Sequence, residues 1–501
     1  MEEKLRELKT LLMEVMDLNL VGALLGWDQA TYMPPGGAEA RGRQSALLAR
    51  LAQERATDPR IGRLLDELQP WAEKLPYDSD DASLLRVARR DFERALKVPP
   101  EWVAKASQVG SDAYVAWTQA RPANDFKRMQ PHLEQILDLS RQLADFFPGY
   151  EHIADPLIDF SDQGMKASSI QALFAELRKE LVPLVQAITS QPAVDDSCLR
   201  SHFPEEQQLA AGLEIIKHLG YDFNRGRQDK THHPFMTKFS LGDVRITTRV
   251  KEDYLGETLY STIHESGHAM YEQGIRMELD GSPLGNGTSS GVHESSSRMW
   301  ENVVGRSRYA LEFIYPKLQA VFPAQLGDVP LETFYRAVNK VSRSLIRTDA
   351  DEVTYNLHVM IRFDLELALL EGKLAIKDLP DAWQARYLSD LGVQAPDDRD
   401  GVLQDVHWYS GQIGGVFQGY TLGNVFSGLW YSKALEAHPE INHEMAQGKF
   451  DTLRGWLTEN VYQHGRKFTA PELVQCVSGG ELSIKPYIAY LKNKYGEIYN
   501  L

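Results

Sequence analysis

Cysteine is scarce in this sequence. Only Cys198 and Cys476 occur among 501 residues, and they form no Cys-x-x-Cys pair. Neither a disulfide framework nor a cysteine-based metal cluster is expected, and both thiols should be reduced. A chain of this length buries enough apolar surface to fold without covalent crosslinks.

Long apolar runs and an excess of positive charge are missing as well. The longest charge-free stretch, residues 406–432, is interrupted by glycines and polar side chains and makes a poor membrane helix. The charged residues 1–6 lack the apolar segment of a secretory signal. The net charge of −16 opposes binding to polyanions, which requires clustered Lys and Arg. We therefore expect a cytoplasmic protein without nucleic-acid or membrane partners.

Helical periodicity dominates the chain. A first helix is predicted from the apolar residues on one of its faces, namely Leu5, Leu8, Leu12, Val15 and Met16. Prolines and glycines at 34–37 break the pattern, and a second helix is expected to begin near Ala38. Similar segments alternate with Pro or Gly breaks to about residue 220, which predicts an antiparallel array of helices.

One short window departs from this pattern. Residues 235–239 and 244–250 are rich in β-branched and aromatic side chains, and residues 240–243 join them as a hairpin. No internal repeat or low-complexity linker divides the chain. We therefore predict a mainly α-helical fold, a single unit spanning residues 1–501, with a small β-sheet just before the segment that carries the chemistry.

The most informative motif is His264-Glu265-Ser266-Gly267-His268. On a helix, positions i and i+4 share a face, so both imidazoles can reach one ion. Glu265 then lies beside the ion without being directed at it, where a base acting on a metal-activated water must be. The motif therefore predicts a metal site of hydrolytic type.

The helix that carries this motif is predicted from an apolar face formed by Leu255, Leu259 and Ile263. Gly274 is predicted to follow its last turn as a C-terminal stop. Gly267, inside the helix, costs roughly 1 kcal/mol relative to alanine. We therefore expect another segment to approach the helix closely at Gly267.

A hydrolytic zinc site needs a third protein ligand and an open fourth position. The next helical segment, residues 291–301, offers His293, Glu294 and Glu301. Glu294 follows His268 by 26 residues, which excludes the metzincin arrangement and fits a glutamate from a following helix. We predict Glu294 as the third ligand. Glu301 is an alternative ligand or a hydrogen-bond partner for one imidazole, and His293 is a further alternative ligand.

The sequence also matches a second kind of metal site. Glu265-x-x-His268 and Glu440-x-x-His443 also match the paired motifs of a di-iron carboxylate bundle. However, Glu440 follows a proline in a polar segment, where an acid at a helix start explains it. His264 would also have no role, so a single-ion site is favoured.

Six short motifs follow one another along the chain: His233-Pro234-Phe235, Asp243-x-Arg245-x-Thr247, His264-Glu265-x-x-His268, His293-Glu294-Ser295, Ile346-Arg347-x-x-Ala350-Asp351 and Gly401-x-x-Gln404-Asp405-x-His407-Trp408. In this order, and over essentially its whole length, the sequence resembles the carboxypeptidase Taq family of metallocarboxypeptidases. None of these positions departs from the family's pattern.

The resemblance implies a two-lobed, mostly helical peptidase body with a deep groove, shared with the neurolysin-like peptidases. It implies removal of single residues from peptide C-termini with broad side-chain tolerance, one Zn²⁺ or Co²⁺ per subunit, and a homodimer. His264, His268 and Glu294 match the metal ligands, and Glu265 matches the catalytic base. Arg347 matches an arginine proposed to hold the substrate's C-terminal carboxylate.

Two arginines suit the recognition of a free carboxylate, for which a guanidinium is a bidentate partner. Arg347 is predicted on a helix with Asp351 and Tyr355 on the same face, and an ordinary surface ion pair is the alternative. Arg245 shares a strand face with Asp243, and a solvated sheet face is the alternative.

Three further residues are candidates. His407 and Tyr420 lie in the glycine-rich stretch and offer N–H and O–H donors for a developing oxyanion, so we predict catalytic roles for both. A purely structural role is the alternative for His407. His233 either contacts substrate, as Arg347 and Arg245 are predicted to do, or caps local structure.

Two other functions compete with this prediction. A metal-dependent oligoendopeptidase of the same fold would cleave internal bonds with the same metal ligands. A non-catalytic, metal-dependent binding protein would tolerate loss of the base, yet Glu265 is present. We therefore predict a metallocarboxypeptidase that acts on peptides with a free C-terminus.

Overall fold

Helices alone form the first part of the chain in the computed structural model, which describes residues 1–501. Nine precede the sheet: α1 (Glu2–Thr31), α2 (Ala38–Ala56), α3 (Pro59–Ala72), α4 (Asp80–Lys97), α5 (Pro100–Ala120), α6 (Phe126–Asp145), α7 (Asp155–Ser161), α8 (Ala167–Thr189) and α9 (Glu205–Leu219). The predicted break at residues 34–37 is confirmed, because a 3₁₀ turn at Pro35–Gly37 separates α1 from α2. Leu5, Leu8 and Leu12 are buried on the predicted face of α1.

A three-stranded sheet follows these helices. It contains β1 (Gln228–Lys230), β2 (Met236–Ser240) and β3 (Asp243–Thr248), in the order β1-β3-β2. The predicted hairpin is confirmed, with β2 antiparallel to β3 and Thr237 opposite Arg245. The third strand, β1, runs parallel to β3 and was not predicted, because a three-residue Gln-Asp-Lys segment has no apolar alternation.

Helices return after the sheet: α10 (Leu255–Gly274), α11 (Ser290–Arg298), α12 (Arg308–Val321), α13 (Pro323–Leu326), α14 (Leu331–Val338), α15 (Tyr355–Leu370), α16 (Leu379–Leu391), α17 (His407–Ser410), α18 (Gln418–Ala437), α19 (Ile441–Ala446), α20 (Asp451–Asn460), α21 (Ala470–Ser478) and α22 (Lys485–Tyr499). A π-helical turn, Met299–Val304, continues α11 directly. Five more 3₁₀ turns lie at Ser197–Leu199, Met277–Leu279, Arg347–Asp349, Ile376–Asp378 and Tyr462–His464.

The predicted mainly helical fold with a small sheet beside the motif helix is confirmed, because α10 packs against β3 on one side and α11 on another. Apolar side chains from all parts of the chain form one continuous core. None of the helices combines the length and the apolar character needed to cross a bilayer.

Glycines bring three helices of this core into unusually close contact. The expected close approach at Gly267 is confirmed: a Cβ atom there would lie 2.6 Å from the Cα of Ser297. On the other side of α11, a Cβ on Gly423 of α18 would lie 2.5 Å from Cγ of Glu294. The prediction for Gly274 was wrong, because this glycine is the last residue of α10 and packs against Tyr462.

We predict that Gly267→Ala destabilises the protein although alanine favours helix. The new methyl group meets backbone atoms of α11, which cannot move without separating the helices, so a loss of about 1–3 kcal/mol in unfolding free energy is expected. The matched control is Gly455→Ala in α20, where a Cβ meets nothing within 4 Å and a gain of about 0.5–1 kcal/mol is expected. Urea unfolding of both variants checks the contrast, and equal effects would contradict it.

Candidate metal centre

Three side chains from α10 and α11 converge on one point. The ligand atoms of His264, His268 and Glu294 all lie within 4.8 Å of one another. The Glu294 Oε2 atom lies 3.7 Å from Nε2 of His264 and 3.3 Å from Nε2 of His268. Helical spacing supplies the two imidazoles, and the close packing of α11 on α10 supplies the carboxylate from across the interface.

The donor set fits a divalent cation. Donor atoms that surround a cation as a tetrahedron, each 2.0–2.1 Å from it, are roughly 3.3 Å from one another. The distances from Glu294 Oε2 to the two imidazole nitrogens are close to this value. Two nitrogens and one oxygen leave a fourth position for water or substrate. No other cluster of three such residues occurs in the chain, so the di-iron alternative was wrong: Glu440 and His443 are exposed at the start of α19.

Glu265 lies next in sequence to His264 and is buried, with 7% of its surface exposed. It makes no hydrogen bond or ion pair with another side chain. Burial without a cationic partner raises the pKa of Glu265 to about 7. A carboxyl group in this environment is suited to accept a proton and give it up again near neutral pH.

His264 is oriented by a carboxylate behind it. Its Nδ1 atom lies 2.8 Å from Oε2 of Glu301, which the π-helical turn presents to α10. Glu301 therefore is the hydrogen-bond partner that the sequence allowed, and the alternative of a ligand was wrong. Burial opposes protonation of His264, but Glu294 and Glu301 raise its pKa, so cation binding at this ring competes with protonation.

Arg298 was missed by sequence reasoning although it lies one turn from both acids. Its Nε atom donates to Glu294 at 2.7 Å and its Nη1 atom to Glu301 at 3.2 Å. Burial favours the neutral acids, yet Arg298 and His264 hold the pKa of Glu294 and of Glu301 well below the usual range. Both carboxylates are therefore ionised where they are needed.

His268 has a different partner. Its Nδ1 atom lies 2.6 Å from Nδ1 of His293, whose Nε2 atom lies 2.9 Å from Oε1 of Glu272. The alternative that His293 is itself a ligand was wrong, because it lies behind His268. Burial lowers the pKa of His268 to about 4, which leaves the imidazole neutral for ligation. Glu272 was missed, although its i+4 spacing from His268 places it on the ligand face of α10.

Arg347 is buried, but not on the predicted helix. It opens a 3₁₀ turn, and α15 begins only at Tyr355. Its Nε atom donates to Asp405 at 2.5 Å and its Nη1 atom to the Tyr355 hydroxyl at 2.9 Å, while Nη2 donates to no protein atom. Asp351 does not pair with Arg347: it accepts from the backbone N–H groups of residues 342, 353 and 354. The surface ion pair considered as an alternative is therefore also wrong.

His407 and Tyr420 are brought together beside Arg347. The Nδ1 atom of His407 lies 2.5 Å from Oδ1 of Asp405, and its Nε2 atom lies 3.0 Å from the Tyr420 hydroxyl. Burial opposes ionisation of Asp405, but Arg347 and His407 hold its pKa well below the usual range. The carboxylate therefore accepts the Nδ1–H of His407, which leaves Nε2 to accept the Tyr420 O–H.

A chain of contacts connects this group with the metal centre. Arg298, which bonds to Glu294, lies over the Tyr355 ring with 4.5 Å between guanidinium carbon and ring centre. The hydroxyl of Tyr355 accepts from Arg347. Two residues, Tyr355 and Arg298, therefore lie between the buried arginine and the Glu294 carboxylate.

Arg245 and His233 are not joined to this chain of contacts. Arg245 forms an ion pair with Asp243 at 2.7 Å and lies over the rings of Trp27 and Phe239. His233 is exposed, with its Nδ1 atom 2.8 Å from the carbonyl oxygen of Pro234. Both belong to the sheet side of α10.

The site combines partly buried histidines at i and i+4, a flanking glutamate and a second glutamate from the next helix, within a mainly helical body. These features define a metallopeptidase of the His-Glu-x-x-His type. The family model described as carboxypeptidase Taq (M32) metallopeptidase matches residues 7–495. The chain belongs to this family.

Similar proteins and a solved structure support this family membership. The chain is 42% identical to thermostable carboxypeptidase 1 of Thermus thermophilus, covering 97% of each chain. It is 35% identical to carboxypeptidase 1 of Bacillus subtilis, covering 99% of each. The crystal structure of the M32 carboxypeptidase from Deinococcus radiodurans R1 superposes with a TM-score of 0.96 at 51% identity, covering both chains fully. The predicted metallocarboxypeptidase is confirmed, and neither the oligoendopeptidase nor the binding protein is favoured.

A further buried acid, Glu366, lies near His407 but contacts none of the metal-site residues. Glu366 of α15 accepts a bond from Nε1 of Trp408 at 2.9 Å, and its other oxygen has no partner. Burial raises the pKa of Glu366 to about 7. The folded protein therefore retains a proton on Glu366 over a pH range in which the unfolded chain has lost it.

We predict that Glu366→Gln stabilises the protein increasingly as the pH rises. The folded-state pKa of Glu366 is raised from 4.5, so the contribution of this group to stability falls between about pH 4.5 and pH 7, and the neutral amide escapes this loss. The expected gain is on the order of 3 kcal/mol at about pH 8 and close to zero at about pH 4.5. Denaturant unfolding at both values tests this, with exposed Glu481→Gln as control. A gain independent of pH would contradict it.

Proposed function

We propose that the chain removes single residues from the C-termini of peptides, with broad side-chain tolerance, as one catalytic unit spanning residues 1–501. One Zn²⁺ or Co²⁺ ion per chain is proposed at His264, His268 and Glu294, whose donor set suits either ion. A homodimer is proposed, supported by exposed apolar side chains on α1 and α2, at Met13, Val21, Leu24 and Leu47. The two free cysteines support a cytoplasmic location.

A single observation supports this proposal: the buried guanidinium of Arg347, with an unpartnered Nη2, is connected through three contacts to three converging metal donors. An exopeptidase must recognise a free carboxylate at a fixed distance from the reacting bond. Arg347 supplies a positive charge, and Tyr355 and Arg298 fix its separation from Glu294.

Glu265 is proposed as the general base and acid. When bound, the cation lowers the pKa of an attacking water and polarises the scissile carbonyl group. Glu265 accepts the proton that this water loses as its oxygen attacks the carbonyl carbon. The carbon–nitrogen bond then breaks, and Glu265 returns the proton to the leaving amine. Its pKa of about 7, raised by burial, suits both transfers.

Tyr420 is proposed to donate a hydrogen bond to the oxyanion that develops on the carbonyl oxygen. In the free protein its hydroxyl donates to His407, whose only N–H is held by Asp405. We therefore assign His407 to orienting Tyr420, and donation by His407 itself requires the protonated ring.

Arg347 is proposed to hold the terminal carboxylate through its free Nη2 atom. Asp405 and Tyr355 hold the other two nitrogens of the guanidinium, Nε and Nη1, so its position is set before substrate arrives. Arg245 and His233 are proposed as substrate contacts on the sheet side, where Arg245 presents a partly exposed cation.

We predict that Glu265→Gln binds metal as wild type does but loses turnover. The amide has the size of the carboxyl group and cannot accept the proton, so kcat should fall at least 100-fold. Zinc titration together with a peptide hydrolysis assay checks both parts. A chelator should abolish wild-type turnover and added Zn²⁺ or Co²⁺ restore it; near-normal turnover of the variant would overturn the mechanism.

We predict that Arg347→Ala raises KM for a peptide with a free C-terminus by roughly 10–100-fold, with a smaller change in kcat. The test is a mass-spectrometric time course on one short peptide with free and amidated C-termini. Wild type should shorten only the free peptide, residue by residue, and the variant should discriminate poorly between the two. Equal internal cleavage of both by wild type would indicate an oligoendopeptidase instead.

A further inference from the structure

A line of polar groups leads away from the metal centre behind His268. His293 lies between His268 and Glu272, with contacts of 2.6 Å and 2.9 Å. Oε2 of Glu272 lies 2.5 Å from Nζ of Lys238 in β2. Glu272 is buried, and its Oε1 atom also accepts the backbone N–H of Gly287 at 3.2 Å.

The chemistry of these groups determines which atom of each imidazole carries hydrogen. A carboxylate paired with Lys238 only accepts, so Nε2 of His293 is the N–H donor to Glu272. Of the two Nδ1 atoms in contact, one must donate and the other accept. An imidazole whose hydrogen is on Nε2 accepts at Nδ1, so Nδ1 of His268 donates to His293. The remaining nitrogen of His268, Nε2, carries a lone pair, and it is the atom that faces Glu294 at 3.3 Å.

The two metal-binding histidines are therefore fixed in different ways. His264 meets the carboxylate of Glu301 directly, at 2.8 Å. His268 reaches its carboxylate, Glu272, only through a second imidazole. This longer route ties α10 to α11 through His293 and to the sheet through Lys238.

We propose that His293 and Glu272 are positioning residues that hold His268 in the tautomer whose Nε2 lone pair is free for the cation, with Lys238 of the sheet anchoring the line. This inference rests on the metal site of the proposed function. It gives the small sheet a role in metal binding, although none of its residues is a ligand.

The sharpest test is Glu272→Gln, which keeps size and removes charge. Lys238 retains the amide oxygen, so the NH₂ group turns to His293 and donates to Nε2. Nδ1 of His293 must then donate, which moves the hydrogen of His268 onto Nε2 and blocks the lone pair. Zinc affinity, measured by competition with a chromophoric chelator, should fall roughly 10–100-fold.

Adding Lys238→Met to Glu272→Gln should restore part of the lost zinc affinity. In Glu272→Gln with Lys238→Met, the amide is free to turn its oxygen to His293, which restores the original tautomers. We expect the double variant to bind zinc at least threefold more tightly than Glu272→Gln alone. A merely structural role for the Lys238–Glu272 pair predicts the opposite, because two disrupted partners would weaken binding further.

His293 itself is tested by a pair of variants. His293→Leu removes both contacts and should weaken zinc binding roughly 10–100-fold, whereas His293→Gln offers an amide that accepts from His268 and donates to Glu272 and should recover most of it. Exposed His443→Gln, on α19, is the matched control and should bind as wild type. Melting curves of the metal-free proteins show that each variant folds.

The outcomes distinguish failure of the proposed metal site from failure of the positioning role of His293 and Glu272. If wild type does not bind zinc, the metal site of the proposed function fails. If wild type binds zinc and every variant binds equally well, or if the double variant binds less tightly than Glu272→Gln, the positioning role is overturned while the proposed function stands.

Discussion

The close contact of α10 with α11 at Gly267 is the constraint on which the metal centre depends. His264 and His268 come from one helix, and Glu294 can join them only if the second helix lies almost against the first. A side chain at Gly267 would strike the Ser297 backbone, and one at Gly423 of α18 would strike Glu294 from behind. Each helical glycine costs about 1 kcal/mol relative to alanine. The protein accepts this cost because a wider separation would take Glu294 out of reach of the shared ion.

Pairing with cationic side chains distinguishes most buried acids near the metal centre from Glu265. Four buried or partly buried acids near the centre have cationic partners: Glu272 with Lys238, Glu294 with Arg298, Glu301 with Arg298 and Arg306, and Asp405 with Arg347 and Arg362. A buried charge without a partner is costly, so these pairs keep the carboxylates ionised and oriented. Glu265 is buried without such a partner, and its pKa of about 7 follows from that. The acid left unpaired is the one proposed as general base.

Sequence alone predicts what depends on local geometry. The i, i+4 rule places His264 and His268 together, and the hairpin and the helical segment carrying Glu294 follow from periodicity and spacing. Prediction from the sequence fails where contacts between distant parts of the chain determine the structure. Lys238 and Glu272 are 34 residues apart and meet only because the sheet packs on α10. The helix predicted at Arg347 fails because the Asp351 carboxylate bonds to the backbone N–H groups of residues 353 and 354, an alternative that favours a turn over a helix.

The arginine cluster explains how an exopeptidase preference could arise without an exposed cation. Two guanidiniums, Arg347 and Arg362, share the single carboxylate of Asp405, which leaves one net positive charge in a buried place. In the proposed function, a substrate carboxylate balances this charge, whereas an amide or a continuing chain leaves the free Nη2 of Arg347 without a charged partner. Leaving a buried polar group unpaired penalises the wrong substrate more than an extra contact rewards the right one. Discrimination for the free C-terminus in the proposed function therefore follows from the charge imbalance that one carboxylate, Asp405, leaves between two guanidiniums.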